Sequence, residues 1–109
     1  MSASVSSTVA SPPVEISVLV PVMNEAGNIV PLVNEICSTF KGRRFEIIYV
    51  DDASTDNTVA ELSDLLKSVP QLKVFRHANR SGQSAAIWSG LWQARGDLIG
   101  VIDGDGQNV

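Results

Sequence analysis

Apolar residues in this chain fall in short solid blocks separated by longer amphipathic stretches. Residues 16–20 are a β-branched run that stops at Pro21. A run that short, ended by a breaker, predicts a buried strand. The polar turn Asn24-Glu25-Ala26-Gly27-Asn28 follows, with Asn28 as N-cap and Pro31 in the first helical turn, where a missing N–H costs nothing. Ile29, Leu32, Val33, Ile36, Cys37 and Phe40 then recur at helical spacing until Gly42. The plan repeats. Residues 45–50 predict a strand that runs into Asp51-Asp52, and the turn Ala53-Ser54-Thr55-Asp56 is rich in capping side chains. A helix follows with Val59, Leu62, Leu66 and Val69 on one face, closed by Pro70. A third strand at 72–75, a loop at 77–82 and a helix at 84–94 lead to Gly96 and a fourth strand at 98–102.

The order β-α-β-α-β-α-β with short connections predicts an α/β fold, a four-stranded parallel sheet with helices on both faces. On the third helix Ala85, Ala86, Gly90 and Ala94 predict close approach to the sheet. Trp88 and Trp92, four apart, share a face whose expected role is core packing.

Composition narrows the class. The chain has 109 residues, room for one small domain, and 44% apolar residues can fill a core. A net charge of -4 excludes the basic face of a nucleic-acid binder and a polybasic membrane patch. The one cysteine, Cys37, allows no internal disulfide, which fits a reducing, cytoplasmic setting; a small buried hydrophobe is its expected role. Residues 1–13 carry no charged side chain and no long apolar stretch, and are expected to form a flexible tail rather than a secretory signal. No apolar run approaches the roughly 20 residues needed to span a bilayer.

Ligands of open parallel α/β sheets sit at the carboxyl ends of the strands. Here those ends carry Glu25, Asp51-Asp52, Arg76-His77, and Asp103-Gly104-Asp105-Gly106-Gln107. Clustered carboxylates repel one another, and a divalent cation relieves that repulsion. Asp103, Asp105 and Gln107 alternate, so in extended backbone they point the same way and present oxygen donors that suit Mg²⁺ or Mn²⁺. Gly104 and Gly106 leave room for phosphates to approach. Asp52 is placed to accept a hydrogen bond from a nucleobase N–H, and Glu25 to bind ribose hydroxyls or to complement the positive N-terminal end of its helix. Asp51, Ser54, Thr55 and Asp56 read as turn and capping residues. His77, the only histidine, reads as a satisfied structural residue.

Four motifs, in this order, resemble those of family 2 glycosyltransferases, which have the GT-A fold. They are residues 18–25 (VLVPVMNE), residues 50–56 (VDDASTD, with Ala53 where glycine is commoner), Asn79 to Gly82 with the helix and Ala94-Arg95-Gly96-Asp97 after it, and Asp103-Gly104-Asp105-Gly106-Gln107. The last form resembles the dolichol-phosphate and polyprenyl-phosphate sugar synthases. The resemblance covers about residues 15–108. It implies that Pro21, Met23, Glu25, Val50 and Asp52 line a nucleoside pocket. It also implies that Asp103, Gly104 and Asp105 meet the diphosphate, with Asp103, Asp105 and Gln107 holding the metal. The implied reaction is transfer of a sugar from a UDP- or GDP-linked donor to a lipid phosphate, at the cytoplasmic face of a membrane. Residues 14–109 would then be the nucleotide-sugar-binding half of a truncated catalytic domain, with the catalytic base beyond its C-terminus.

The alternative is a catalytically incomplete fragment that at most binds nucleotide. A phosphoacceptor receiver domain would carry its acidic pair after the first strand and a lysine near the end, whereas here the pair follows the second strand and the last lysine is Lys73. A Rossmann dehydrogenase would need Gly-x-Gly-x-x-Gly after the first strand.

Overall fold

The computed structural model describes residues 13–103; residues 1–12 of the expected tail and residues 104–109, including Gly104, Asp105 and Gln107, lie outside the described residues. The elements are β1 (Ile16–Val22), α1 (Ile29–Thr39), β2 (Phe45–Asp51), α2 (Thr58–Leu66), β3 (Leu72–Arg76), α3 (Gln83–Gln93) and β4 (Leu98–Val101). All neighbouring strands are parallel, in the order β3-β2-β1-β4. The chain therefore winds outward from β1 through β2 to β3, then crosses back to place β4 on the other side of β1. The topological switch falls between β1 and β4, where a crevice opens at the carboxyl ends.

Alternation along the central strands divides the core. Val18, Val20, Val22, Ile47 and Tyr49 point to one face, where Ile29, Leu32, Val33 and Ile36 of α1 and Leu62 of α2 cover them. Leu19, Ile48 and Val50 point to the other face, under Ala86 of α3. Because both faces of β1 and β2 are covered, every residue of these strands is buried and their sequences are almost continuously apolar. Ala86 and Gly90 lie flat on the sheet, as the small residues of this helix predict.

Pro21 shapes the crevice. In a parallel ladder the N–H and C=O of one residue face the same neighbour. The Leu19 carbonyl accepts from the Ile102 N–H at 2.9 Å, so the next donor toward β4 would be the missing N–H of residue 21. The β1–β4 register ends at Leu19 opposite Val101, while β1 continues beside β2 as far as Val22 opposite Asp51. The two strands part where the site begins.

Two expectations about packing fail. Trp88 and Trp92 are not core residues: they are 64% and 82% exposed. They lie roughly opposite Gly90 around the helix, and the sheet takes only the small-residue side. Leu66 is likewise exposed, and Leu65 packs against the core in its place. β4 is exposed as well. It is an edge strand, with Leu98, Ile99 and Val101 all exposed. Cys37 is half-buried against the core, and burial raises its thiol pKa, in keeping with a structural role.

Candidate nucleotide-binding site

The loop after β1 and the turn after β2 are built as one unit. Asn24 adopts φ +57°, and Ala53 φ +60°. The N–H groups of residues 24–27 would be orphans at the entrance to α1. Each instead donates to a side chain of the second turn or of α2: Asn24 to Ser54 Oγ at 2.8 Å, Glu25 to Thr58 Oγ1 at 2.9 Å, Ala26 to Asp56 Oδ2 at 3.2 Å and Gly27 to Glu61 Oε1 at 3.1 Å. The Asn24 side chain reciprocates, accepting from the Thr55 N–H at 2.8 Å. These side chains satisfy four backbone donors and fix the β1 loop relative to β2. Asn28 holds the N-cap position without a side-chain capping bond; its amide donates to Glu25 Oε1 at 3.0 Å.

The adjacent aspartates part company. Asp51, fully buried on the α1–α2 face, accepts from the Ser54 N–H at 3.0 Å and from the Ser54 hydroxyl, with Arg76 Nε 3.4 Å away. Asp51, Ser54 and Asp56 thus do the turn-building expected of them. Asp52 points the other way, toward the crevice. Its Oδ1 accepts from His77 Nδ1 at 2.9 Å and the Ser81 N–H at 2.8 Å, and its Oδ2 accepts from the Gly82 N–H at 2.8 Å. Burial pushes the Asp52 pKa up, but these three hydrogen bonds outweigh it and hold the carboxyl below its usual value. His77 is satisfied at both nitrogens, since Nε2 lies 2.8 Å from Ser89 Oγ.

The crevice at the switch point is a cleft of about 290 Å³. Pro21, Val22, Met23 and Glu25 line it from β1 and its loop, Asp52 from β2, and Asp103 from the end of β4. Arg80, Gly82, Gln83 and Ala86 line it from the loop before α3 and its first turn. Of the residues expected at the site, Pro21, Met23, Glu25, Asp52 and Asp103 are brought together. Val50 is not among the lining residues; it is packed beneath α3 with Leu19 and Ala86. Arg80, Gln83 and Ala86 were missed from the residues alone. A cation in the loop after the third strand, at the carboxyl end of the sheet, was the available signal for Arg80.

Three carboxylates against one guanidinium make this cleft acidic, and Asp52 has most of its acceptor capacity spent on the protein. Asp103 makes no hydrogen bond or ion pair among the described residues, and no three His, Cys, Asp or Glu side chains among them converge on a common point. Of the expected oxygen donors Asp103, Asp105 and Gln107, whose chemistry suits a hard divalent cation, only Asp103 is among the described residues.

A parallel sheet of this order, with an acidic cleft at the β1–β4 switch, defines an α/β domain with its candidate ligand site at the carboxyl ends of the strands. The sequence profile of Glycosyl transferase family 2 matches residues 17–108, and the chain belongs to that family. It is 35% identical over 94 residues to a dolichol-phosphate mannosyltransferase of Pyrococcus furiosus, a match covering 86% of this chain and 26% of that protein. It is 40% identical over 94 residues to a β-monoglucosyldiacylglycerol synthase of Synechocystis, covering 84% of this chain and 20% of the relative. Among solved structures, a Pyrobaculum calidifontis mannosyltransferase in complex with GDP-Man and Mn²⁺ superposes with a TM-score of 0.75 at 26% identity. That match covers 86% of this chain and 30% of that one. Staphylococcus aureus TarS with UDP gives 0.72 at 30% identity, over 84% and 27%. The chain therefore spans between a fifth and a third of the length of these proteins. The fold is the GT-A fold of these glycosyltransferases.

Proposed function

We propose that this chain binds a nucleoside diphosphate sugar in the β1–β4 cleft and serves the metal-dependent transfer of that sugar to a polyprenyl-phosphate or similar lipid acceptor. The observation that carries the reading is the convergence of Glu25, Asp52, Arg80 and Asp103 on one cleft at the topological switch. The base lies between Pro21 and Ala86, with an N–H directed to the remaining acceptor site of Asp52. Glu25 accepts from ribose hydroxyls. Arg80 and Asp103 face the diphosphate, and Asp105 and Gln107 complete the donor set with Asp103. A divalent ion bound there supplies the positive charge that an acidic cleft needs in order to take a diphosphate and that a diphosphate needs in order to leave. The lipid acceptor is suggested by relatives named as dolichol-phosphate and undecaprenyl-phosphate transferases. No helix among the described residues is long and apolar enough to cross a membrane, and the proposed site of action is a membrane's cytoplasmic face.

Calorimetry of the 109-residue chain with UDP and GDP, with and without Mg²⁺ or Mn²⁺, tests this. Binding should require the ion, and Asp103→Asn should weaken it about tenfold or more. Ion-independent binding, or none, would sink the proposal. A second reading is a domain that binds nucleotide without turning it over. Glycosyl transfer to a polyprenyl phosphate by this chain alone would remove it.

A further inference from the structure

Asp52, His77 and Ser89 form a continuous hydrogen-bonded line across three elements. The carboxylate follows β2, the imidazole follows β3, and the hydroxyl sits in the middle of α3. The two links are 2.9 Å and 2.8 Å long. An ionised carboxylate only accepts, so Nδ1 carries the proton; in the neutral ring Nε2 then accepts from the Ser89 hydroxyl. The same order of groups can activate a serine for acyl transfer, but that needs the serine in a substrate cleft beside oxyanion donors. Ser89 does not line the cleft, and it lies within α3, where backbone N–H groups are used by the helix. Asp52 is the member that lines the cleft. The line therefore works in the opposite sense, from the hydroxyl toward the carboxylate.

We propose that His77 and Ser89 are positioning residues for nucleobase recognition: Ser89 fixes the His77 ring, and His77 fixes the Asp52 carboxylate that meets the base. The inference rests on the nucleotide reading of the cleft. Torsions that end in a planar carboxylate or imidazole have broad, soft wells. The Asp52 carboxylate is held by three donors: two on Oδ1, from His77 and Ser81, and one on Oδ2, from Gly82. A carboxylate has about four acceptor sites, so one remains, on Oδ2. Held in this way, Asp52 is an acceptor with a single direction. It selects a base that presents a ring N–H, as uracil and guanine do, over adenine and cytosine, whose corresponding ring nitrogen is itself an acceptor. If His77 loses its anchor, the Ser81 and Gly82 N–H groups still hold the carboxylate, but a second acceptor site opens on Oδ1; the single direction is lost, and the discrimination weakens before the diphosphate contacts do.

The test is titration of the wild-type chain, Ser89→Ala, Ser89→Thr and His77→Gln in Mg²⁺ with UDP, GDP, ADP, CDP and inorganic diphosphate, with thermal unfolding of each. The wild type should prefer UDP or GDP. Ser89→Ala, a favourable change for a helix, should weaken the preferred nucleotide about tenfold and narrow its margin over ADP and CDP, with inorganic diphosphate unaffected. His77→Gln should do the same or more, and Ser89→Thr, which keeps the hydroxyl, should restore the wild-type margin. If the wild type binds and Ser89→Ala keeps its full discrimination, the positioning role is refuted while the nucleotide site stands. Equal weakening of nucleotide and inorganic diphosphate, alongside a lower melting temperature, would also refute it, as a purely structural effect. Failure of the wild type to bind any nucleoside diphosphate would overturn the site itself.

Discussion

Gly96 packs directly against Ser17: a Cβ at residue 96 would lie 2.6 Å from the Ser17 nitrogen and 2.7 Å from its hydroxyl oxygen. The Gly96 N–H donates to that hydroxyl at 2.8 Å, so the chain between α3 and β4 is pinned to the start of β1. Two of the three nearest atoms, Ser17 N and Ile16 C, are backbone of β1 and cannot turn aside. Gly96→Ala should destabilise by about 2 kcal/mol or more in urea denaturation. Gly90→Ala makes a useful contrast. There the new methyl meets Leu19 Cδ2 at 2.9 Å, Leu19 Cγ at 3.0 Å and Val50 Cγ2 at 3.3 Å, all side-chain atoms with no backbone among them, and alanine's helix preference offsets part of the crowding. Its net loss should stay below about 1 kcal/mol, and equal losses at the two positions would contradict this account.

Ala53 should be improvable. Its φ of +60° is a left-handed conformation that costs a residue with a Cβ roughly 1–2 kcal/mol, part of which glycine returns as greater freedom in the unfolded chain. Ala53→Gly is expected to stabilise by about 0.5–1 kcal/mol, read as a rise in the urea midpoint at unchanged slope. A destabilised variant would mean that the methyl group contributes packing that outweighs the strain.

Glu46 sets an acid limit on the fold. Only 2% exposed, it accepts from Ser17 Oγ at 2.6 Å, Lys73 Nζ at 2.7 Å and the Arg95 N–H at 2.7 Å. Burial raises its pKa, but the hydrogen bonds from Lys73, Ser17 and Arg95 prevail and leave it below the ordinary glutamate value. A carboxyl whose folded pKa is depressed binds its proton more readily when unfolded. Its contribution is therefore complete above the unfolded value, about 4.3, and is lost as pH falls through the lower folded value. The stability gap between wild type and Glu46→Gln should be widest at neutral pH and shrink on acidification to about pH 3. A gap that does not change with pH would exclude the ionised carboxylate as its source.

Tyr49 points the other way on the same strand. Its side chain is fully buried and its hydroxyl makes no hydrogen bond among the described residues; burial raises the phenol pKa far above its usual value. An orphaned buried hydroxyl costs about 1–3 kcal/mol. Tyr49→Phe should leave stability unchanged or increase it, as measured by thermal and urea unfolding. A loss above about 1 kcal/mol would reveal a partner for that oxygen.

Much of the architecture was legible in the chain because local rules suffice for it. The β-branched runs ending at Pro21 and Asp51, the helical spacing of Ile29, Leu32, Val33 and Ile36, and glycine after each of the first and third helices locate the elements, and a repeated β-α order implies a parallel sheet. The rim residues Glu25, Asp52 and Asp103 followed from the general position of ligands in such sheets. What periodicity could not supply was which side of a helix finds a partner. Trp88 and Trp92 share a helix face as surely as Ala86 and Gly90 do, yet the sheet takes the small residues because their size permits close approach. Leu65 and Leu66 are identical in size and differ in burial because consecutive residues lie about 100° apart around α2 and only Leu65 faces the core.

The amino-acid order by itself determined the kind of structure and the rim on which its chemistry sits, because strand and helix periods, breakers and caps act over a few residues. Only the tertiary structure decided that Val50 is packed beneath α3 instead of lining the cleft, and that His77 and Ser89 stand behind Asp52. Successive residues of a strand point to opposite faces, but which face becomes the cleft depends on where β4 is laid beside β1 and where α3 crosses above them. Those placements are settled by packing between segments far apart in the chain.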